Sequence, residues 1–208
     1  MTEIYLIRHG QSIGNAKRIY LGHTDLDLSP LGYEQARSTA EELSCVDFCA
    51  VYSSDLLRAM NTALPHAKMR GLEVVPMVGL REINVGEWEG KSVEDLLLDE
   101  RFTVGWRQHF GSFTLPGGEC VFEAGKRVHD TLRGIAESHE GGCVLAALHA
   151  AAIRAFWCYM LGLPKEEWAG AVDFPTNASV SVIRYEGGKF EPVSYSLDSH
   201  LEKVTRQE

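Results

Sequence analysis

The sequence predicts an α/β sandwich built on a mostly parallel sheet. Three observations carry that expectation. Apolar runs of strand length alternate with longer stretches of helical periodicity along most of the chain. The run at residues 143–148 is continuously apolar, the pattern of a strand buried on both faces. The 208 residues are 45% hydrophobic and 24% charged, enough to bury a full core without disulfide or metal staples. A single domain over residues 1–208 is expected, because no repeat, low-complexity tract or linker interrupts the alternation.

Each element has its own signal. Residues 4–7 are a short apolar strand candidate. Ser29-Pro30 opens a helix, with Ser as cap and Pro at the first helical position, continued by Leu31, Ala36, Ala40 and Leu43. Residues 48–52 read as a second strand, and Ser54 is expected to cap a second helix running toward Pro65. Val74 and Val75 suggest a third strand. Residues 92–115 are helical but irregular and rich in aromatics. A helix over 119–138 is closed by Gly141-Gly142, and the buried strand 143–148 leads into a helix over 150–161. Residues 178–185 alternate as a strand, and Gly187-Gly188 turns into another over 190–194.

Charge narrows the function. The formal net charge is −9, which argues against nucleic acid or an anionic membrane as partner. A small anionic molecule remains compatible, given a local cationic pocket. The first residues carry Glu3 and no signal-peptide pattern, and no run reaches membrane-spanning length, so a cytoplasmic protein is expected. Five scattered cysteines read as reduced thiols, with Cys143 and Cys158 buried. No residues stand at metal-ligand spacing, and no metal or cofactor is expected. The sequon Asn177-Ala178-Ser179 is expected to stay unglycosylated.

Ligands of open α/β sheets bind beyond the carboxyl ends of the strands. Three buried-looking strands end there in reactive residue types: Arg8-His9-Gly10, Ser53-Ser54 with Arg58 one helical turn on, and His149. Guanidinium forks match phosphate oxygens, a neutral imidazole is a nucleophile, and a second imidazole can donate to phosphate. Helix N-termini after two of these strands are expected to add backbone donors. Taken singly, an Arg-His pair is usually surface decoration and a histidine after a buried strand is usually a satisfied core residue. Their convergence at three strand ends points to a phosphoryl pocket.

These residues resemble the histidine phosphatase superfamily, which includes the cofactor-dependent phosphoglycerate mutases. Arg8-His9-Gly10-Gln11-Ser12 with Asn15 and Gly22 looks like its signature segment. Ser53-Ser54-Asp55-Leu56-Leu57-Arg58-Ala59 with Thr62-Ala63, then Leu80-Arg81-Glu82 with Gly86-Glu87-Trp88-Glu89-Gly90, look like its second motif and acid loop. Pro116-Gly117-Gly118-Glu119 and His149 with Ile153-Arg154 complete the order. The resemblance implies a three-layer α/β/α sandwich with a helical lid subdomain at about 80–118. It implies His9 as nucleophile, Glu82 as general acid and then base, and His149 in the catalytic set. Arg8, Asn15, Arg58 and Gly22 would bind the phosphate.

The pattern departs from the family at Leu148-His149-Ala150, where Ser-His-Gly is usual. A glycine required for positive φ would make Ala150 displace His149. The long insertion of the mutases is missing, and Val85 and Val93 stand where mutases carry Tyr and Lys. The chain therefore looks like the short members: alpha-ribazole phosphatases, phosphoserine phosphatases and broad-specificity phosphomonoesterases. The expected activity is metal-independent hydrolysis of a small-molecule phosphate monoester. The alternatives are a mutase-type phosphotransferase, a weakly active phospho-ligand-binding or regulatory protein, or action on phosphoproteins. Phe102, Trp106, Phe110 and Phe113 either pack the lid or stack a ligand, and His23 and His109 are placed at the mouth. An edge strand near residues 190–195 offers a homodimer contact.

Overall fold

The computed structural model describes residues 1–205. Its strands are β1 (Thr2–Arg8), β2 (Ala50–Ser53), β3 (Val74–Pro76), β4 (Cys143–Leu148), β5 (Val180–Glu186) and β6 (Lys189–Leu197). They form one sheet in the order β3-β2-β4-β1-β5-β6. The first four in that order are parallel, and β5 and β6 are antiparallel additions. The helices are α1 (Ile13–Ala16), α2 (Pro30–Glu42), α3 (Leu57–Arg70), α4 (Val93–Leu96), α5 (Val121–Ser138), α6 (Ala150–Met160), α7 (Trp168–Ala171) and α8 (Glu202–Thr205). None of the described helices is long and apolar enough to cross a membrane.

The sandwich follows from the period-two alternation of strand side chains. On one face Ile4, Leu6, Val144, Ala146 and Leu148 pack against Val128, Leu132 and Ile135 of α5 and Ile153 and Phe156 of α6. On the other, Ile7, Val51, Leu145 and Ala147 pack against Ala59, Ala63 and Ala67 of α3. Both faces of β4 are thus covered, which is why residues 143–148 are apolar without a break. The expected three layers are present.

Two boundary expectations are corrected. Ser54 does not cap α3: Leu56 holds the cap position without a side-chain bond, and the Leu57 N–H donates to Oδ1 of Asp25 at 2.7 Å. Pro65 does not end α3 either. The helix runs through it to Arg70 and stops at Gly71, whose φ is 65°. Burial of His66 and Ala67 beyond the proline keeps that last turn docked. Cys143 is only half-buried, whereas Cys158 is buried as expected.

The lid region is irregular, as its sequence suggests. Short 3-10 turns at Val78–Leu80, Gly86–Trp88 and Phe110–Ser112 flank α4 and a π-helical turn at Arg101–Trp106. Ile83, Trp88, Phe102, Trp106 and Phe110 share one apolar cluster with Val121 and Ala124 of α5, Ala151 and Ala155 of α6, and Trp168 of α7. The lid is therefore fastened to the helical layer. At the sheet edge, β6 carries Pro192 and register irregularities against β5, features that blunt an edge strand.

The turn after β1 meets the first turn of α2 backbone to backbone. A Cβ on Gly10 would lie 2.5 Å from the Gly32 carbonyl oxygen, and one on Gly32 would run into the Gln11 carbonyl. Gly32→Ala is expected to cost about 1–3 kcal/mol through overpacking, read as a lowered urea midpoint. An unchanged midpoint would show that the turn retreats freely.

Candidate active site

The parallel register of β1 and β4 sets Arg8 opposite Leu148. The next residue on each strand is a histidine. The His9 N–H donates to the Leu148 carbonyl at 2.9 Å, and the two imidazole centroids lie 5.1 Å apart. Nδ1 of His9 is 2.7 Å from the Gly10 carbonyl. A carbonyl only accepts, so Nδ1 carries the proton and Nε2 keeps its lone pair. His149 is fully buried, and neither of its ring nitrogens has a partner among the described residues. Burial holds both imidazoles well below the ordinary histidine range, and the Arg58 and Arg8 guanidiniums add to this. Both rings are therefore neutral.

Ala150 does not displace His149. It opens α6 in ordinary helical geometry and is absent from the residues with positive φ. Its methyl group lines the cavity.

The arginines are fixed from behind. Arg58 is 2% exposed and donates to the Thr24 and Gly22 carbonyls at 2.9 and 2.7 Å. Arg8 donates through Nη1 to the Pro175 carbonyl at 2.6 Å, while its buried Nε has no partner among the described residues. Burial pulls Arg8 down to about 10, so it remains cationic at neutral pH. Gly22 does not line the cavity. Its N–H donates to Oε1 of Glu89 at 2.9 Å and its carbonyl takes Arg58, so it seats that arginine instead of offering a donor to phosphate. Asn15 lines the cavity with its Oδ1 occupied by the Ser12 N–H and by Nδ2 of Asn177, which also donates to the His9 carbonyl. The Nδ2 amide of Asn15 is the part left to donate.

Glu82 reaches the same cavity and is 8% exposed. Its carboxylate accepts the N–H groups of Ile83, Ala151 and Ala152 at 3.0, 3.2 and 2.8 Å. The first turn of α6 holds Glu82, and the first turn of α3 holds Asp25. Of its acidic neighbours, Glu87 pairs with Arg101 at the surface, and Glu89 ties down the Gly22–Thr24 backbone.

The cavity measures about 520 Å³. His9, Arg8, Arg58 and Glu82 form its floor, and Tyr20, Phe102, Trp106 and Phe174 stand among its apolar walls. Phe110 and Phe113 pack inside the lid cluster instead, and His109 is exposed away from the cavity. His23 donates through Nε2 to the Glu82 carbonyl at 2.9 Å. Sequence reasoning missed Tyr20, Phe174 and the bracing role of Asn177. Position was the available signal, since Phe174 to Asn177 precede a strand antiparallel to β1 and so lie at the sheet end that carries His9.

Guanidiniums and an imidazole gathered in one cavity suit an anionic ligand, and comparison with known proteins gives the family. A family model of the histidine phosphatase superfamily (branch 1) matches residues 4–198. The chain is 34% identical over 207 residues to a protein named putative phosphoserine phosphatase 2 of Hydrogenobacter thermophilus, covering 99% of this chain and 100% of that one. It is 32% identical over 190 residues to the probable phosphoglycerate mutase GpmB of Salmonella typhi, covering 89% and 86%. Among solved structures, Bacillus stearothermophilus YhfR superposes with a TM-score of 0.89 at 26% identity, covering 97% and 100%. A mycobacterial glucosyl-3-phosphoglycerate phosphatase superposes at 0.86 and 26% identity, covering 94% and 99%. The chain belongs to the histidine phosphatase superfamily.

Buried neutral imidazoles make stability depend on pH. His66 is fully buried, its ring nitrogens have no hydrogen-bond partner among the described residues, and burial lowers it to about 3. The unfolded chain binds those protons near 6.5 while the folded chain does not, so stability is full above about 6.5. It is lost progressively as pH falls toward the folded values. His66→Leu is expected to flatten the urea midpoint against pH between about 6.5 and 4. Parallel curves for the two proteins would contradict this.

Proposed function

We propose that the chain is a phosphomonoesterase that hydrolyses a small phosphorylated metabolite through a phosphohistidine on His9. One observation carries the reading: a buried neutral His9, whose Nε2 keeps its lone pair, lines the same cavity as Arg8, whose buried Nε has no partner among the described residues, while the unpartnered ring of His149 lies beside His9, 5.1 Å away and outside the cavity lining. Guanidinium and imidazole donors suit phosphoryl oxygens. Phosphatase names among the relatives support the reaction class.

In the first step Nε2 attacks phosphorus in line as the ester P–O bond breaks, and Glu82 gives its proton to the departing alkoxide. Arg8, Arg58, Asn15 and His149 take the equatorial oxygens. In the second step Glu82 accepts a proton from water, the water oxygen attacks phosphorus, and the P–N bond returns its electrons to His9. Inorganic phosphate leaves. Side-chain cations meet the phosphoryl charge throughout, so the reaction is proposed to need neither metal nor cofactor. Val85 and Val93 on the cavity wall favour water over a mutase outcome, since neither offers a handle for an anionic sugar acid.

The test is hydrolysis of p-nitrophenyl phosphate and of an alkyl phosphate with EDTA present. His9→Ala is expected to abolish both. Glu82→Gln is expected to lower the alkyl reaction by about 10²–10⁴-fold and the p-nitrophenyl reaction far less, because a good leaving group needs no proton. EDTA-sensitive turnover, or activity surviving in His9→Ala, would overturn the proposal.

A further inference from the structure

The walls above the phosphoryl floor differ in character from the floor. Tyr20, Val85, Val93, Phe102, Trp106 and Phe174 give an apolar surface, half of it aromatic rings from the lid and the loop before β5. Phe174 is 42% exposed, a large ring presented to solvent at the cavity edge. It stacks on Trp106 with centroids 6.2 Å apart and planes 24° apart.

That ring is held deliberately. The Arg154 guanidinium lies 4.3 Å from the Phe174 centroid and 4.2 Å from that of Phe110. The same guanidinium donates to the Val172, Trp168 and Ala169 carbonyls at 2.6, 3.2 and 2.5 Å. A buried cation thus fixes both the loop and the orientation of its aromatic residue. Preformed apolar walls with a few convergent polar groups are the usual form of a small-ligand site.

Charge adds a second constraint. Among the described residues lining the cavity, Glu82 is the one carboxylate, and three backbone N–H groups already hold it. Arg18 and Arg107 also line the cavity beyond Arg8 and Arg58, Arg18 being paired with Glu94 at 2.6 Å. A substrate ammonium group would meet apolar walls and guanidiniums, and the one carboxylate lining the cavity among the described residues, Glu82, is already held by three N–H groups.

We propose that the alcohol portion of the substrate is an apolar, ring-bearing group without a cationic centre, seated against the Trp106–Phe174 stack. The inference rests on the phosphomonoesterase reading and specifies the leaving group. It also separates this chain from relatives whose names specify phosphoserine, since phosphoserine carries an ammonium group.

The test compares kcat/KM for alkyl esters of similar leaving-group reactivity: phenethyl phosphate, ethyl phosphate, O-phosphoserine, phosphoethanolamine and phosphocholine. Phenethyl phosphate is expected to exceed each of the others by about tenfold or more. Phe174→Ala, at an exposed position, is expected to lower kcat/KM for phenethyl phosphate about tenfold more than for ethyl phosphate, and Phe174→Tyr to restore the ratio. O-phosphoserine, phosphoethanolamine or phosphocholine turned over as well as phenethyl phosphate would overturn the inference and leave the hydrolase reading standing. So would an equal loss on every substrate in Phe174→Ala, which would make the stack merely structural. Absence of turnover on all five esters and on p-nitrophenyl phosphate would overturn both.

Discussion

The site depends on the register of one parallel strand pair. Because Arg8 lies opposite Leu148, the His9 N–H closes onto the Leu148 carbonyl and the two imidazoles emerge side by side at the same sheet edge. A slip of one residue would turn each β1 side chain to the other face and separate the rings. Apolar packing on both faces of β4 resists such a slip, since Leu145 and Ala147 face α3 while Ala146 and Leu148 face α5 and α6. The placing of His9 is thus a consequence of core packing.

Electrostatics divides the work between backbone and side chains. The protein is acidic overall, with a net charge of −9, yet four arginines and one glutamate line the cavity among the described residues. The Ala151 and Ala152 N–H groups of α6 are taken by Glu82 and the Leu57 N–H of α3 by Asp25. Helix ends therefore hold Glu82 and brace the loop, while guanidinium and imidazole groups remain for an anion. Glu89 serves the same end by binding the Gly22–Thr24 backbone, whose carbonyls in turn orient Arg58.

Much of this was legible in the sequence, and the limits have physical causes. The unbroken apolar run before His149 announces a central strand, and the strand-end rule places Arg8, His9, Arg58 and His149 on one edge. Glu82 lies in an irregular loop without periodicity, and only its resemblance to an acid loop singled it out. The resemblance makes Gly22 a phosphate donor because a sequence does not reveal that Glu89, 67 residues on, claims its N–H. Ser54 carried a cap signal that a carboxylate from Asp25 overrode, and Pro65 carried a stop signal that tertiary burial overrode. Phe174 was invisible because nothing in a short loop says where its ring points. Arg154, found within a matched motif, has its role written in the carbonyls it reaches.

The central claim is that Nε2 of His9, freed by the Nδ1 bond to Gly10, is the atom that takes the phosphoryl group. Rapid quenching during turnover, followed by peptide mapping and phosphorus NMR of the phosphohistidine isomer, tests it most directly. The account predicts an acid-labile phosphoryl group on Nε2 of His9 that forms at least as fast as product. A phosphoryl group on His149 or on Nδ1 of His9, or turnover without any phosphoenzyme and with inversion at phosphorus, would contradict it.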